Sequence, residues 1–159
     1  MSSSWTTEIE AAVPAPRLFK ATILDWHKLQ DPKVGSGKIV SASPVEDDIG
    51  GVGSIRQFNF ASGGPFAFIK ERLDFLDVEK CEAKSTLAEG GALGIHVESS
   101  SIDIKVEPKA GGSVVKVTGT IKPLPGVNVA EVTEKARMAV TRIIKGCEAY
   151  LVANPGAYN

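Results

Sequence analysis

The sequence predicts an α+β domain, a curved seven-stranded antiparallel sheet wrapped around one long C-terminal helix. Three observations predict it. From residue 38 to residue 122, apolar side chains recur at every second position between closely spaced turns. From residue 128 to residue 153 the apolar period lengthens to three and four residues and holds. Between the first strand and the others, residues 15–30 carry helical spacing long enough for two short helices only.

Residues 4–13 alternate loosely and read as the first strand, which Pro14 and Pro16 end because neither can donate to a sheet. Leu18, Phe19, Ile23, Leu24 and Leu29 then recur at helical spacing up to Asp31-Pro32, with a break expected near Asp25. Residues 39–43 are short and β-rich, with Ile39 at their start. Residues 54–60 alternate, placing Arg56, Phe58 and Phe60 on one side. Gly63-Gly64-Pro65 turns the chain. Residues 66–76 follow, with Phe66, Phe68, Lys70 and Arg72 sharing a side. In residues 81–87, Cys81, Ala83, Ser85 and Leu87 oppose Glu82, Lys84 and Thr86. Ile102, Ile104 and Val106 alternate with Ser101, Asp103, Lys105 and Glu107, the clearest half-buried strand of the chain. After a turn at 108–112, Val115, Val117, Gly119 and Ile121 alternate with Lys116, Thr118, Thr120 and Lys122.

The last helix has its own start and stop. Asn128 suits an N-cap, and Glu131 stands three residues later, like the partner in a capping box. Val129, Val132, Ala136, Val140, Ile143, Ile144, Cys147 and Leu151 make its apolar stripe, and Asn154-Pro155-Gly156 stops it.

The rows expected to face inward contain small residues: Ala83, Ser85, Ser100 and Gly119 on strands, Ala136 and Ala139 on the helix. Small side chains on both walls leave a void. One lined by Phe58, Phe60, Phe66, Phe68 and Ile102 suits an apolar ligand.

Bulk properties narrow the function classes. At 159 residues the chain fits one domain, 1–159. Eighteen basic and nineteen acidic side chains give a net charge of -1, without the basic excess of a dedicated nucleic-acid binder. No apolar run approaches the ~20 residues of a membrane span, and the start lacks a secretory pattern, so a cytoplasmic protein is expected. Cys81 and Cys147 are far apart and read as reduced core thiols, and no metal or cofactor motif is present.

Six segments, in order and in register, carry a family likeness: VPAPRLFKATILD, IGGVGSIRQFNF, FIKERLDFLD, LAEGGALG, IKVEPKAGGSVVKV and CEAYLVANPGAYN. Over nearly its whole length the chain resembles the class-ten pathogenesis-related proteins of plants, the family of the major birch pollen allergen, with wording closest to monocot members. The resemblance implies the helix-grip fold and a large hydrophobic cavity. It implies an intracellular defence or stress protein that holds a cytokinin, flavonoid or steroid-like molecule; a monomer is expected because nothing in the sequence advertises a large apolar surface patch. The expected ligand-binding residues are Ile23, Ile39, Arg56, Phe58, Phe60, Phe66, Phe68, Ser85, Leu87, Ser100, Ile102, Val117, Gly119, Ala136, Ala139, Val140 and Ile143.

Gly50, Gly51 and Gly53 occupy the place of the family's glycine-rich loop. Two residues depart from its pattern: Asp48 stands where the family has glycine, and Arg56 where it usually has lysine. Asp48, with Glu46 and Asp47, sets negative charge at the loop and disfavours phosphate, and no P-loop signature follows. The loop is expected to be a rigid turn shaping the cavity rim.

The resemblance also implies an enzymatic alternative. Weak ribonuclease activity would rest on Glu98, Glu148 and Tyr150, with nucleic acid as a partner only in that case. Glu148 and Tyr150, two apart on a helix, do not share a face. Counting back by twos from Ile102 puts Ser100, Glu98 and His96 on the inward side if no bulge intervenes. Small-molecule catalysis, as in the alkaloid-forming enzymes of this fold, would call on Lys70 or Arg72 reaching inward. Pairing of Arg72 with Asp74 or Glu71 is the competing expectation.

Overall fold

The computed structural model describes residues 2–31, 39–45 and 51–159. Its strands are β1 (Ser3–Ala11), β2 (Ile39–Pro44), β3 (Ile55–Phe60), β4 (Phe68–Asp77), β5 (Glu82–Gly90), β6 (Val97–Lys109) and β7 (Gly112–Pro123). They form one antiparallel seven-stranded sheet in the order β1-β7-β6-β5-β4-β3-β2. From β2 to β7 each strand pairs with the next in sequence, as short turns dictate, and β1 joins at the β7 side.

After β1 the chain turns into α1 (Ala15–Phe19), with Pro14 and Pro16 at its start, where a missing amide hydrogen costs nothing. The winding then widens to a π turn at Lys20–Leu24 and tightens to a 3-10 turn at Trp26–Gln30. The break falls at Asp25, whose φ/ψ of -104°/38° is not helical. The spacing of apolar residues predicted the break but not the π turn. Leu18, Phe19 and Trp26 are fully buried here and anchor the segment in the core.

Helix α2 (Val129–Ala153) crosses the sheet. Asn128 caps it: its side chain accepts a hydrogen bond from the Glu131 amide at 3.1 Å. The reverse half of a capping box is not made, because Glu131 pairs with Lys135 at 3.2 Å. Ile144, Cys147 and Leu151 are buried toward the C-terminal half, so α2 packs tightly there. Its polar flank serves the free edge of β1. Arg137 Nε donates to the Thr6 carbonyl at 3.2 Å, Lys145 Nζ donates to the Glu10 carbonyl at 2.7 Å, and Glu148 accepts from the Ala12 amide at 2.7 Å. Edge groups that would otherwise template another strand are thereby covered.

Beyond α2 the tail is clasped. Arg17 Nε donates to the Ala157 carbonyl at 2.7 Å, while Nη2 donates to the carbonyls of Leu151 and Asn154 at 2.8 and 2.6 Å. Tyr158 donates to Asp25, which also lies 3.3 Å from His27 Nε2.

Candidate functional site

Between the concave face of the sheet and the N-terminal half of α2 lies a cavity of about 670 Å³. Its hollowness follows from the pairing of β5 with β6. Ala83 stands opposite Ile104 and Ser85 opposite Ile102, so the small residues of β5 face the middle where bulk would close the space. On the helix side Ala136 and Ala139 are equally small. The larger wall residues Ile69, Ile102, Ile104 and Ile143 keep accessible surface although they point inward, as expected where a wall meets a void.

Two charged side chains enter this apolar space side by side. Arg56 and Glu71 are register partners on β3 and β4, and both line the cavity. Arg56 is only 6% exposed. Its Nη1 donates to the Ile23 carbonyl at 3.3 Å, its guanidinium carbon lies 5.3 Å from the Trp26 ring centroid, and its Nε is buried without a hydrogen-bond partner among the described residues. The Ile23 carbonyl belongs to the π turn, whose wider winding shifts the backbone hydrogen-bond pattern there. Burial pushes the Glu71 carboxyl above the usual carboxylate range, and the nearby Arg56 charge pulls it partly back. Burial likewise lowers the Arg56 guanidinium, and Glu71 opposes the shift.

At the loop end of the cavity, Pro65 and Phe66 from the β3–β4 loop meet Gly91, Ala92 and His96 from the β5–β6 loop and Asn128 from the start of α2. His96 and Phe66 contact edge to face, with ring centroids 6.4 Å apart.

Residues 1–154 match the model of the pathogenesis-related protein Bet v 1 family. The chain belongs to this family. It is 46% identical over 159 residues to pathogenesis-related protein 1 of Asparagus officinalis, a monocot, covering 99% of this chain and 98% of that protein. It is 38% identical to the major allergen Pru ar 1 of Prunus armeniaca, covering 98% of each. Among solved structures, the crystal structure of Ara h 8.0201 superposes with a TM-score of 0.84 at 25% identity, covering 97% of this chain and all of that one. The fold, a curved antiparallel sheet around a long C-terminal helix, is the family fold.

The residues expected around the ligand divide cleanly. Ile23, Ile39, Arg56, Phe58, Phe60, Phe66, Ser85, Leu87, Ser100, Ile102, Ala136, Ala139, Val140 and Ile143 line this family member's cavity. Phe68, Val117 and Gly119 are not among its lining residues. Val117 is packed into the core at 1% exposure. Gly119 is covered by the Trp5 indole. Phe68 is on the other face of β4, against Gly90, with Lys70 Nζ 5.8 Å above its ring.

That last difference is a change of phase. The sequence places Phe66, Phe68, Lys70 and Arg72 on one side, but β4 begins only at Phe68, and Phe66 belongs to the loop. The inward residues of β4 are Ile69, Glu71 and Leu73. Lys70 and Arg72 therefore do not enter the cavity; they pair with Glu89 at 3.4 Å and with Asp74 at 2.7 Å.

The start of β6 departs in the same way. A register irregularity between Val97 and Ser99 breaks the count by twos. His96, Val97 and Ser100 line the cavity, while Glu98 points out, 59% exposed and 3.3 Å from Lys122. Glu148 is taken by the Ala12 amide and by Lys145 at 3.0 Å, and Tyr150 packs against the core without lining the cavity. Glu98 sits by the Lys122 end of β7 and Glu148 by the Ser113 end, about 30 Å apart along the strand at ~3.3 Å per residue. Glu98, Glu148 and Tyr150 do not converge on one phosphate.

Of the glycine loop, Gly50 and the acidic residues Glu46, Asp47 and Asp48 lie outside the described residues. Gly53, at φ +93°, donates its amide to the Leu73 carbonyl at 2.7 Å, and Ser54 closes on the Gly51 carbonyl through both its amide and its hydroxyl. These amides serve the turn and its junction with β4. Among the described residues no group of histidine, cysteine and carboxylate side chains is placed to hold a metal ion, and no helix is long and apolar enough to cross a membrane.

Sequence reasoning missed Trp5, Trp26 and Glu71 as cavity residues. The signal for Glu71 was its place between Ile69 and Leu73, an apolar pair at strand spacing that a register set by Ile69 would have recovered.

Proposed function

We propose that this protein binds one small, largely apolar plant metabolite in the cavity between sheet and helix, as part of a defence or stress response. The cavity carries the reading: its volume falls within the ~300–1,000 Å³ of small-molecule sites, and its walls are apolar with a few placed polar groups. Burying a flat ligand there contributes about 25 cal/mol per Å² of apolar surface removed from water. Cytokinin-, flavonoid- and steroid-like molecules match that size and polarity. We place the protein in the cytoplasm as a monomer, where the buried free thiols of Cys81 and Cys147 stay reduced.

The test is a thermal-shift screen of the purified protein against cytokinins, flavonoids and plant steroids, followed by calorimetry. A bound ligand raises the unfolding midpoint by mass action. Ala136→Phe, which puts a ring into the cavity from α2, should abolish that rise while leaving the fold intact. No rise with any member of the panel, on folded wild-type protein, defeats the reading.

A further inference from the structure

Inside the cavity, one group of side chains has a polarity that the apolar walls do not explain. Arg56 is more than nine-tenths buried, and its Nε reaches no acceptor among the described residues. A buried guanidinium proton without an acceptor is costly, and such a group is usually completed by whatever occupies the site. Glu71 is its cross-strand neighbour, facing the same space. Directly opposed residues on one face of a sheet have Cβ atoms about 5 Å apart, so both side chains start within reach of the polar end of one ligand. Trp26 lies under the guanidinium and meets Phe58 edge to face at 5.5 Å, which walls the place with aromatic rings.

Charge selects the ligand further. A carboxylate would pair with Arg56 but be pressed against Glu71, and a cation would meet the reverse. A neutral group offering an acceptor to Arg56 and a donor to Glu71 satisfies both. We propose that Arg56, Glu71 and Trp26 form a subsite that recognises the polar end of a flat, neutral ligand in which a carbonyl-type acceptor adjoins an O–H or N–H donor. This rests on the cavity being a binding site.

The probes are flavone, which has the carbonyl alone, and 3-hydroxyflavone, which adds a hydroxyl beside it. The second also reports its own hydrogen bonding, because its long-wavelength emission dominates when the hydroxyl stays bonded to its own carbonyl and recedes when outside partners replace that bond. Wild-type protein should bind 3-hydroxyflavone about ten-fold more tightly than flavone, one hydrogen bond to a charged group, with the short-wavelength band enhanced. Glu71→Leu should erase the preference and restore the long-wavelength band. Arg56→Met should weaken both probes about ten-fold; if that variant fails to fold, Glu71→Leu decides alone. If flavone binds wild type but the hydroxyl adds nothing, or if Glu71→Leu keeps the preference, the subsite assignment is overturned and the cavity reading stands. If neither probe binds wild type, the subsite assignment falls, while the cavity reading falls only if the cytokinins and plant steroids of the wider screen also fail to bind.

Discussion

The indole of Trp5 lies across the backbone of Gly119, its register partner on β7. A Cβ on that glycine would fall well inside van der Waals contact of the ring atoms Cε2, Nε1 and Cζ2. Trp5 is 6% exposed and lines the cavity, so the ring can give way only by moving into that space. We predict that Gly119→Ala lowers stability by about 1–3 kcal/mol, the usual range for overpacking a core, measured as a lower urea midpoint. An unchanged midpoint would mean that Trp5 repacks into the cavity without cost.

Arg17 makes the second prediction. Its three bonds to backbone carbonyls tie the end of α2 and the tail to α1 across more than a hundred residues of sequence. Hydrogen bonds from a charged donor are worth about 1.5–3 kcal/mol each when their acceptors are left unmet, and here water can reach part of the cluster. Arg17→Met should cost about 2 kcal/mol, and hydrogen exchange should quicken at the Ala157 amide, which now donates to Asn154. Exchange at the buried β6–β7 pairing should quicken by no more than the loss of global stability accounts for.

The legible parts of this molecule are those where one side of an element is uniformly apolar. Val115, Val117 and Ile121 on β7, and Ile144, Cys147 and Leu151 on α2, are buried as their periodicity requires. In β3 the alternation of Arg56, Phe58 and Phe60 placed all three on the cavity side. Reading failed where the alternation could be counted from the wrong origin. On β4 two phenylalanines near the turn set the phase, yet one belongs to the loop and the other faces outward, and a half-buried carboxylate that lines the cavity looks like a surface residue in sequence. On β6 the irregularity between Val97 and Ser99 reverses the count and turns Glu98 outward. Neither a loop boundary nor a bulge leaves a mark in the periodicity itself.

Alkaline pH should unfold the protein through Cys147 and Tyr158. Burial pushes the Cys147 thiol from an ordinary 9.0 to about 12. Burial and the bond to Asp25 raise the Tyr158 phenol above its ordinary 10.0. Both groups bind their proton more tightly in the folded state, so their contribution is full below the unfolded values and is lost as pH climbs above them. Stability should therefore fall from about pH 9 toward pH 12. Cys147→Ala should flatten the first part of that fall and Tyr158→Phe the later part. Parallel pH profiles for wild type and both variants would refute the assignment.

Glu71 gives an acid-side counterpart. Its carboxyl is raised by burial even with Arg56 beside it, so ionising it costs folding energy. Stability from this group is full below the unfolded carboxyl value and lost as pH rises through the folded one. Glu71→Gln removes the cost without changing the side chain's size. We predict a higher thermal midpoint than wild type at pH 7 and a difference that shrinks toward zero at acidic pH. A lower midpoint at pH 7 would show that Arg56 depends on the Glu71 charge more than burial penalises it.

Glu98 and Glu148 separate structural from catalytic roles. Glu148 Oε2 takes the Ala12 amide at 2.7 Å, just where β1 ends, and Oε1 holds Lys145, whose Nζ also donates to the Glu10 carbonyl. Removing the carboxylate breaks both of its own bonds and leaves Lys145 held only by the Glu10 carbonyl, so Glu148→Ala should cost about 1–2 kcal/mol, the range for an unsatisfied amide with part of its shell open to water. Glu98→Gln loses only an exposed pair with Lys122, worth about 0–1 kcal/mol. Because the two carboxylates sit at opposite ends of β7, neither variant should alter RNA cleavage by rigorously purified protein, measured on a fluorogenic oligonucleotide below each variant's unfolding midpoint. A loss of cleavage in Glu98→Gln, whose fold is least disturbed, would place a catalytic group on the outer face of β6.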